Sequence, residues 1–370
     1  MREVVVLGAG LHRYGIYPDK TFISMGVEAC QLAFTDAGIQ WPDVEVGYCA
    51  SGNQTAFSGH AIAGSLGTVG ATMTNVENAS ASGCSAFREA YLAITSGLHD
   101  VAIAIGVDKL RSYRRSSSSK GEDTVKAPES TGAMMGFAFR AREHMAQYGT
   151  TIDQLARVSV KSHQNASFNP YAHFQETVTL EEVHNARTVV DPLTVLHCCP
   201  WDEGAAAVVL CSGEAAGRFT DKACPRVLAS ACTGLTGGDP LVDLTQVTAY
   251  KAYDMAGCGP EDLNLIEVHD AATIEEILYY EALGLCPQGE GGRFIESGAA
   301  DITGRSPVNT SGGLISMGHP IGPTGLGQIA EILWQMRGQC GGRQVPGNPR
   351  LGLAHMVGAG GVCFVHILGI

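Results

Sequence analysis

Long apolar runs are missing from this chain of 370 residues: none approaches the roughly 18 consecutive apolar positions that cross a bilayer. The opening residues, Met1-Arg2-Glu3-Val4-Val5-Val6-Leu7-Gly8, have no extended apolar core followed by small residues of the secretory-signal kind, so a cytoplasmic protein is expected. Basic residues are short as well, 24 against 37 acidic for a net charge of −13. That field opposes nucleic acid and anionic membranes, and neither is expected as a partner. Only 16% of residues are charged while 45% are hydrophobic, which excludes a mainly disordered chain. None of the twelve cysteines stands at C-x-x-C spacing, and the adjacent Cys198 and Cys199 are poorly placed to share a metal. Reduced, packed thiols and no metal site are expected. Prolines number 15 against 47 scattered glycines, a pattern without collagen's period that suits many tight turns in two α/β domains.

What is present alternates strand-like and helix-like patterns. The run Val4 to Leu7 precedes a helical segment, Phe22 to Ala37, with Gly38 as its C-cap. Val101 to Val107, Ala205 to Leu210 and Leu263 to Val268 read as strands, the last feeding a helix at Ile274 to Leu283. Such alternation predicts a mostly parallel sheet covered on both faces. Gly8-Ala9-Gly10 resembles the start of a dinucleotide fingerprint, but Arg13 holds the third glycine position and the following helix starts late; a strand-ending turn is expected. Arg111 to Arg142 is a basic island, with seven basic and three acidic residues and four consecutive serines. It reads either as a solvated loop or as a cover that orders around an anionic ligand.

Four segments could carry chemistry. In Val76-Glu77-Asn78-Ala79-Ser80-Ala81-Ser82-Gly83-Cys84, small residues crowd a strand-to-helix junction, where free N–H groups and the helix dipole activate a nucleophile. The alternative is that small residues only let the helix pack closely. Glu267-Val268-His269-Asp270-Ala271-Ala272 puts an imidazole at a strand end, where a histidine satisfied by structure is also common. Asn309 to Gly325 places His319 in a glycine-rich loop before the helix Leu326 to Met336, and His355 to Gly361 forms a glycine-rich turn between two apolar strands. Such turns let backbone N–H groups approach a ligand.

Together with Gly318-His319-Pro320 and the stretches Asp191-Pro192-Leu193 and Cys199-Pro200-Trp201-Asp202-Glu203-Gly204, these segments resemble the thiolase family in its sterol-carrier-protein-type branch, over almost the whole chain. The resemblance implies a five-layered α/β/α/β/α fold of two pseudo-repeated halves, 1–215 and 216–370, with a loop domain inserted at about 110–190. It implies coenzyme A as substrate, with Arg111, Arg114, Arg115, Lys120, Ser311 and Gly312 as candidates to meet it. It also implies a homodimer and, as in some members of the branch, a small zinc-ribbon/OB-fold partner subunit. The implied chemistry is attack of a cysteine thiolate on the 3-keto carbon, release of an acyl-CoA enolate, and acyl transfer to a new coenzyme A.

By this resemblance His319 activates the nucleophile, and His269 completes the first oxyanion hole. The second hole comes from the N–H of the nucleophile and the turn near Val357. Two departures stand out. Ser80 occupies the nucleophile's place, so a cysteine has been altered, or the nucleophile has moved to Cys84 one helical turn (about 5.4 Å) further on, or the scaffold dispenses with covalent catalysis. Ala271-Ala272 replaces the branch's Cys-Phe, which passes the acid/base role to His355, with Cys363 as the weaker candidate. The lost volume suits a bulky, aromatic or branched 3-oxoacyl-CoA such as benzoylsuccinyl-CoA. An acyl-CoA thiolase is expected; the alternatives are an aldolase-type carbon–carbon lyase and a non-catalytic coenzyme A-binding subunit.

Overall fold

The computed structural model of the chain describes all residues except Met1, Thr55, Thr68, 111–129, Thr236 and Gly360. Arg111, Arg114, Arg115 and Lys120 therefore lie outside the described residues. The first part of the chain forms β1 (Val4–Gly15), α1 (Phe22–Ala37), β2 (Val46–Ala50), α2 (Ser58–Leu66), β3 (Thr72–Val76), α3 (Ser82–Thr95) and β4 (Val101–Asp108). Next come α4 (Ser130–Tyr148), α5 (Ile152–Ala166), α6 (Leu180–Asn185), β5 (Thr188–Val190) and β6 (Leu193–Thr194), before β7 (Glu203–Ser212) and α7 (Gly213–Ala216). The remainder forms β8 (Arg226–Gly234), α8 (Val242–Ala256), β9 (Leu265–Glu267), α9 (Thr273–Ala282), α10 (Gly291–Glu296), α11 (Thr324–Met336), β10 (Leu351–Gly358) and β11 (Val362–Gly369).

Nine strands make one continuous sheet in the order β3-β2-β4-β7-β1-β8-β11-β10-β9. Read outward from its centre, the order shows an internal repeat. β8, β11, β10 and β9 mirror β1, β7, β4 and β2, and a parallel bridge from Ile266 to Val308 stands where β3 would be. The two sets meet at a single pair, Val5 with Arg226. The sheet is mixed, a correction to the mostly parallel one expected. β2 pairs parallel with β3 and β4, as does β10 with β9, but β7 and β11 return antiparallel beside β4 and β10. For β10 and β11 the cause is local: the turn between them is too short for a crossover.

Side-chain alternation along the strands builds the layers. On β4, Ile103, Ile105 and Val107 pack towards α1 and α2, whereas Ala102 and Ala104 face α3 and α11. On β11, Val365 and Ile367 face α8 and α9, and Leu368 faces the α3/α11 layer. Helices α3 and α11 thus occupy the centre, with sheet on both sides and helices outside each, giving five layers.

Gly8 and Gly10 do not end β1; they lie inside it. A methyl on Gly8 would sit 2.4 Å from the backbone nitrogen of Ala37, and one on Gly10 2.3 Å from that of Ala33. The glycines let α1 lie directly on the strand, which accounts for them without a nucleotide. Gly38, at φ 75°, caps α1 as expected. Replacing Gly10 by valine should lower stability by about 1–3 kcal/mol or more, since the overlap is with backbone; urea unfolding midpoints would measure it.

Candidate active site

The starts of the two central helices touch through glycine. A Cβ on Gly83 would lie 2.6 Å from the Gly322 carbonyl oxygen, and one on Gly325 2.8 Å from the nitrogen of Cys84. The loop before each helix is therefore held against the other, and the side chains just ahead of α3 and α11 converge.

Ahead of α3 the chain makes a strained elbow. Ala79 has φ 48°, a left-handed conformation costing a non-glycine residue roughly 1–3 kcal/mol. Local hydrogen bonds hold it: the Ser82 hydroxyl donates to the Ala79 carbonyl at 2.6 Å and accepts from the Asn78 N–H at 2.8 Å. Ser80, half-buried, projects from the tip. The C-terminal glycine turn closes against the same elbow, where a Cβ on Gly358 would lie 2.1 Å from the Asn78 carbonyl oxygen.

Ahead of α11, the buried Asp202 carboxylate accepts the His319 N–H at 3.0 Å. Burial pushes Asp202 up to about 7, against the opposing pull of His173 at 3.3 Å. Gly318, at φ 120°, leaves room for that carboxylate. The Asp108 carboxylate fastens the next part of the loop: it accepts the Gly322 N–H together with those of Gly52 and Asn53 and the Ser51 hydroxyl.

These contacts place His319 Nε2 2.9 Å from the Ser80 Oγ. Its Nδ1 lies 3.0 Å from the Thr324 Oγ1, and the Thr324 hydroxyl donates its only proton to the Pro320 carbonyl at 2.6 Å. Thr324 can therefore only accept at Nδ1, so the neutral ring carries its proton there. Nε2 is left bare, facing the serine hydroxyl. Burial, followed by the neighbouring His269, lowers the His319 pKa well below the usual histidine value, which keeps the ring neutral.

His269 stands edge-on to His319 with ring centroids 5.4 Å apart. Its Nδ1 lies 3.2 Å from Glu275 Oε1, an oxygen that also accepts the Tyr279 hydroxyl at 2.9 Å. The buried His269 Nε2 has no hydrogen-bond partner among the described residues, so it is free to meet a ligand. The strand end carrying it is fixed by Asn309, whose side chain accepts the Val268 N–H at 2.8 Å and donates to Glu276 at 2.7 Å.

Five candidate residues do not join this cluster. Cys84 is fully buried among Ala81, Met356 and Phe364, and burial pushes its thiol up, away from thiolate chemistry. His355 sits on the opposite face of β10 from Met356, hydrogen-bonded to Thr245 at 2.9 Å and packed on Tyr279, with its pKa held down by burial to about 3. Strand alternation sends it to the outer layer, and Met356 is the residue of that strand that meets Ala81 and Cys84. Cys363 also packs in the outer core, its thiol pushed up to about 12 by burial. Ser311 is buried, its hydroxyl given to Glu267 at 2.5 Å, and Gly312 packs on Ala166, so neither faces a ligand. Ala272 is likewise fully buried, and its backbone is bridged to Cys198.

Thr324, Asp202 and Glu275 were not foreseen as site residues. Only Thr324 had a readable signal, five residues after His319 at a helix start; the other two depend on tertiary contact.

Sequence profiles match across the chain: "Thiolase, N-terminal domain" over residues 8–214 and "Thiolase C-terminal domain-like" over 235–369. The chain is 39% identical to an acetyl-CoA acetyltransferase of Methanothermobacter thermautotrophicus, covering 99% of each. It is 37% identical to the benzoylsuccinyl-CoA thiolase subunit BbsB of Thauera aromatica, covering 97% of this chain and 95% of that one. It is 34% identical to sterol carrier protein 2 of Oryctolagus cuniculus, over 98% of this chain and 71% of that protein. Among solved structures, the Ltp2-ChsH2(DUF35) aldolase superposes with a TM-score of 0.86 at 24% identity, covering 99% and 97% of the two chains, a likeness of fold.

Nitrogen NMR of the imidazoles should find His319 neutral, protonated on Nδ1, as the pH falls through the ordinary value of 6.5. In Thr324→Val the preference for that tautomer should disappear.

Proposed function

Since the chain belongs to the thiolase family, in the branch that includes sterol carrier protein 2, and is an acyl-CoA thiolase, we propose that Ser80, His319 and His269 form its reacting centre. The observation that carries this reading is the 2.9 Å contact between the Ser80 hydroxyl and the bare Nε2 of His319. His319 takes the hydroxyl proton as Oγ adds to the 3-keto carbon of a 3-oxoacyl-CoA. N–H groups at the start of α3 hold the resulting oxyanion, and His269 meets the thioester oxygen, whose charge grows as the enolate leaves, with a proton on Nε2 in addition to the one on Nδ1 that faces Glu275. Acyl transfer to coenzyme A completes the turnover. His269, backed by Glu275, takes the acid/base role, while His355 is hydrogen-bonded to Thr245 on the other face of β10.

Finer features belong to the same reading. A bulky aromatic or branched acyl group is supported by likeness to the benzoylsuccinyl-CoA thiolase subunit. A small zinc-ribbon/OB-fold partner is supported by that relative's being a subunit and by the DUF35 component named with the aldolase, and a homodimer is carried from the family resemblance alone. The basic segment 111–129 is assigned to the coenzyme A phosphates on charge alone. The hydroxyl at position 80 favours one second reading, a lyase in which His319 or His269 deprotonates a substrate hydroxyl and no acyl adduct forms.

Ser80→Ala should reduce cleavage of a 3-oxoacyl-CoA by about 10²–10⁴-fold, while Cys84→Ala leaves it within about twofold because that thiol is buried and protonated. An acyl adduct on the peptide containing Ser80, found by mass spectrometry, supports the thiolase reading. Turnover that survives Ser80→Ala and yields an aldehyde or ketone supports the lyase.

A further inference from the structure

Resting on the reading of Ser80 as nucleophile, we infer that the protein has a hydrolytic outlet, passing the acyl group from Ser80 to water and releasing a free carboxylic acid beside the shortened acyl-CoA. Three observations converge on it. The atom aimed at His319 is oxygen, so the acyl-enzyme is an oxygen ester. Sulfur donates electron density to a carbonyl less well than oxygen, so passing the acyl group from Ser80 to the thiol of coenzyme A runs uphill, whereas passing it to water runs downhill. The nearest cysteine of the elbow, Cys84, is fully buried with its thiol pushed up, so it cannot relieve Ser80 of the acyl group as a thioester.

The third observation is the polarity of the hydrogen-bond chain. Pro320 takes the Thr324 proton, Thr324 takes the His319 Nδ1 proton, and Nε2 stays bare towards Oγ. This is the arrangement that lets an imidazole first deprotonate a serine and then deprotonate water. Ser80 is only half-buried at the tip of its elbow, so an ester formed on its Oγ stays open to solvent.

The atoms balance without an oxidant or reductant. Ser80 Oγ bonds to C3 and its proton moves to His319 Nε2. The C2–C3 bond then breaks, leaving its electron pair on C2, which takes up the proton from His319 to give the shortened acyl-CoA. Water adds to the ester carbonyl and gives a proton to Nε2, and Oγ leaves with that proton. One 3-oxoacyl-CoA and one water become one carboxylic acid and one acyl-CoA.

The test uses the protein as isolated from its native cells, with acetoacetyl-CoA and 3-oxo-3-phenylpropanoyl-CoA as probes in ¹⁸O-labelled water, with and without free coenzyme A. The expected products without coenzyme A are acetyl-CoA and singly labelled acetate or benzoate, and with coenzyme A present labelled acid continues to form beside the second acyl-CoA. Ser80→Cys should shift the products to two acyl-CoA molecules and make the rate depend on coenzyme A. Unlabelled, coenzyme A-dependent formation of two acyl-CoA molecules by the unaltered protein overturns the hydrolytic outlet and leaves the nucleophile reading standing. Cleavage that persists in Ser80→Ala, or none by either the unaltered protein or Ser80→Cys, overturns both.

Discussion

The site depends on one steric constraint: the starts of α3 and α11 must touch backbone to backbone. Gly83 and Gly325 permit this at the helix starts, and Gly106 of β4 permits Pro323 to lie on the strand, where a Cβ would come 2.5 Å from the Pro323 Cα. Without that approach Ser80 and His319, 239 residues apart, could not share a hydrogen bond. Any side chain at these glycines would wedge the two halves of the repeat apart along the line where the chemistry is placed.

Buried carboxylates then convert proximity into aim. Asp108 gathers donors from the loop after β2 and from the loop before α11, and Asp202 grips the His319 backbone. Glu275 orients His269 in the same way. Each acts through hydrogen bonds that cost little at the moment of reaction, because the donors are already ordered. Burial sets the protonation state of the base as well: His319 stays neutral in the tautomer Thr324 dictates, which is the form that can take a proton from a hydroxyl.

Much of the site was legible in the sequence, and the errors have specific causes. The elbow at Asn78 to Ser82 and the loop at His319 announced themselves through small residues and glycine next to helix patterns. His355 was misplaced because its strand is buried on both faces. Apolar residues on either side give no alternation, so sequence cannot tell which side chains point to the centre. Ser311 looked available because its neighbours are glycines, yet a buried Glu267 claims its hydroxyl. Gly8 and Gly10 looked like a turn because a strand rarely needs glycine, and the need arose from a helix lying on it. The mixed direction of the sheet was hidden for a similar reason: strand patterns carry no sign of direction.

The sequence by itself determined the alternation of strands and helices, the family, and the chemical identity of the atoms at the site, above all an oxygen rather than a sulfur at position 80. These are local properties, set by side-chain type and short-range spacing. Only the tertiary structure decided which imidazole meets that oxygen, which of its nitrogens is bare, and that Cys84 and His355 are turned away. The bare nitrogen is set by Thr324 within the same loop, but the other outcomes depend on burial and on contacts between segments far apart in the chain, 239 residues for Ser80 and His319 and 110 for Thr245 and His355.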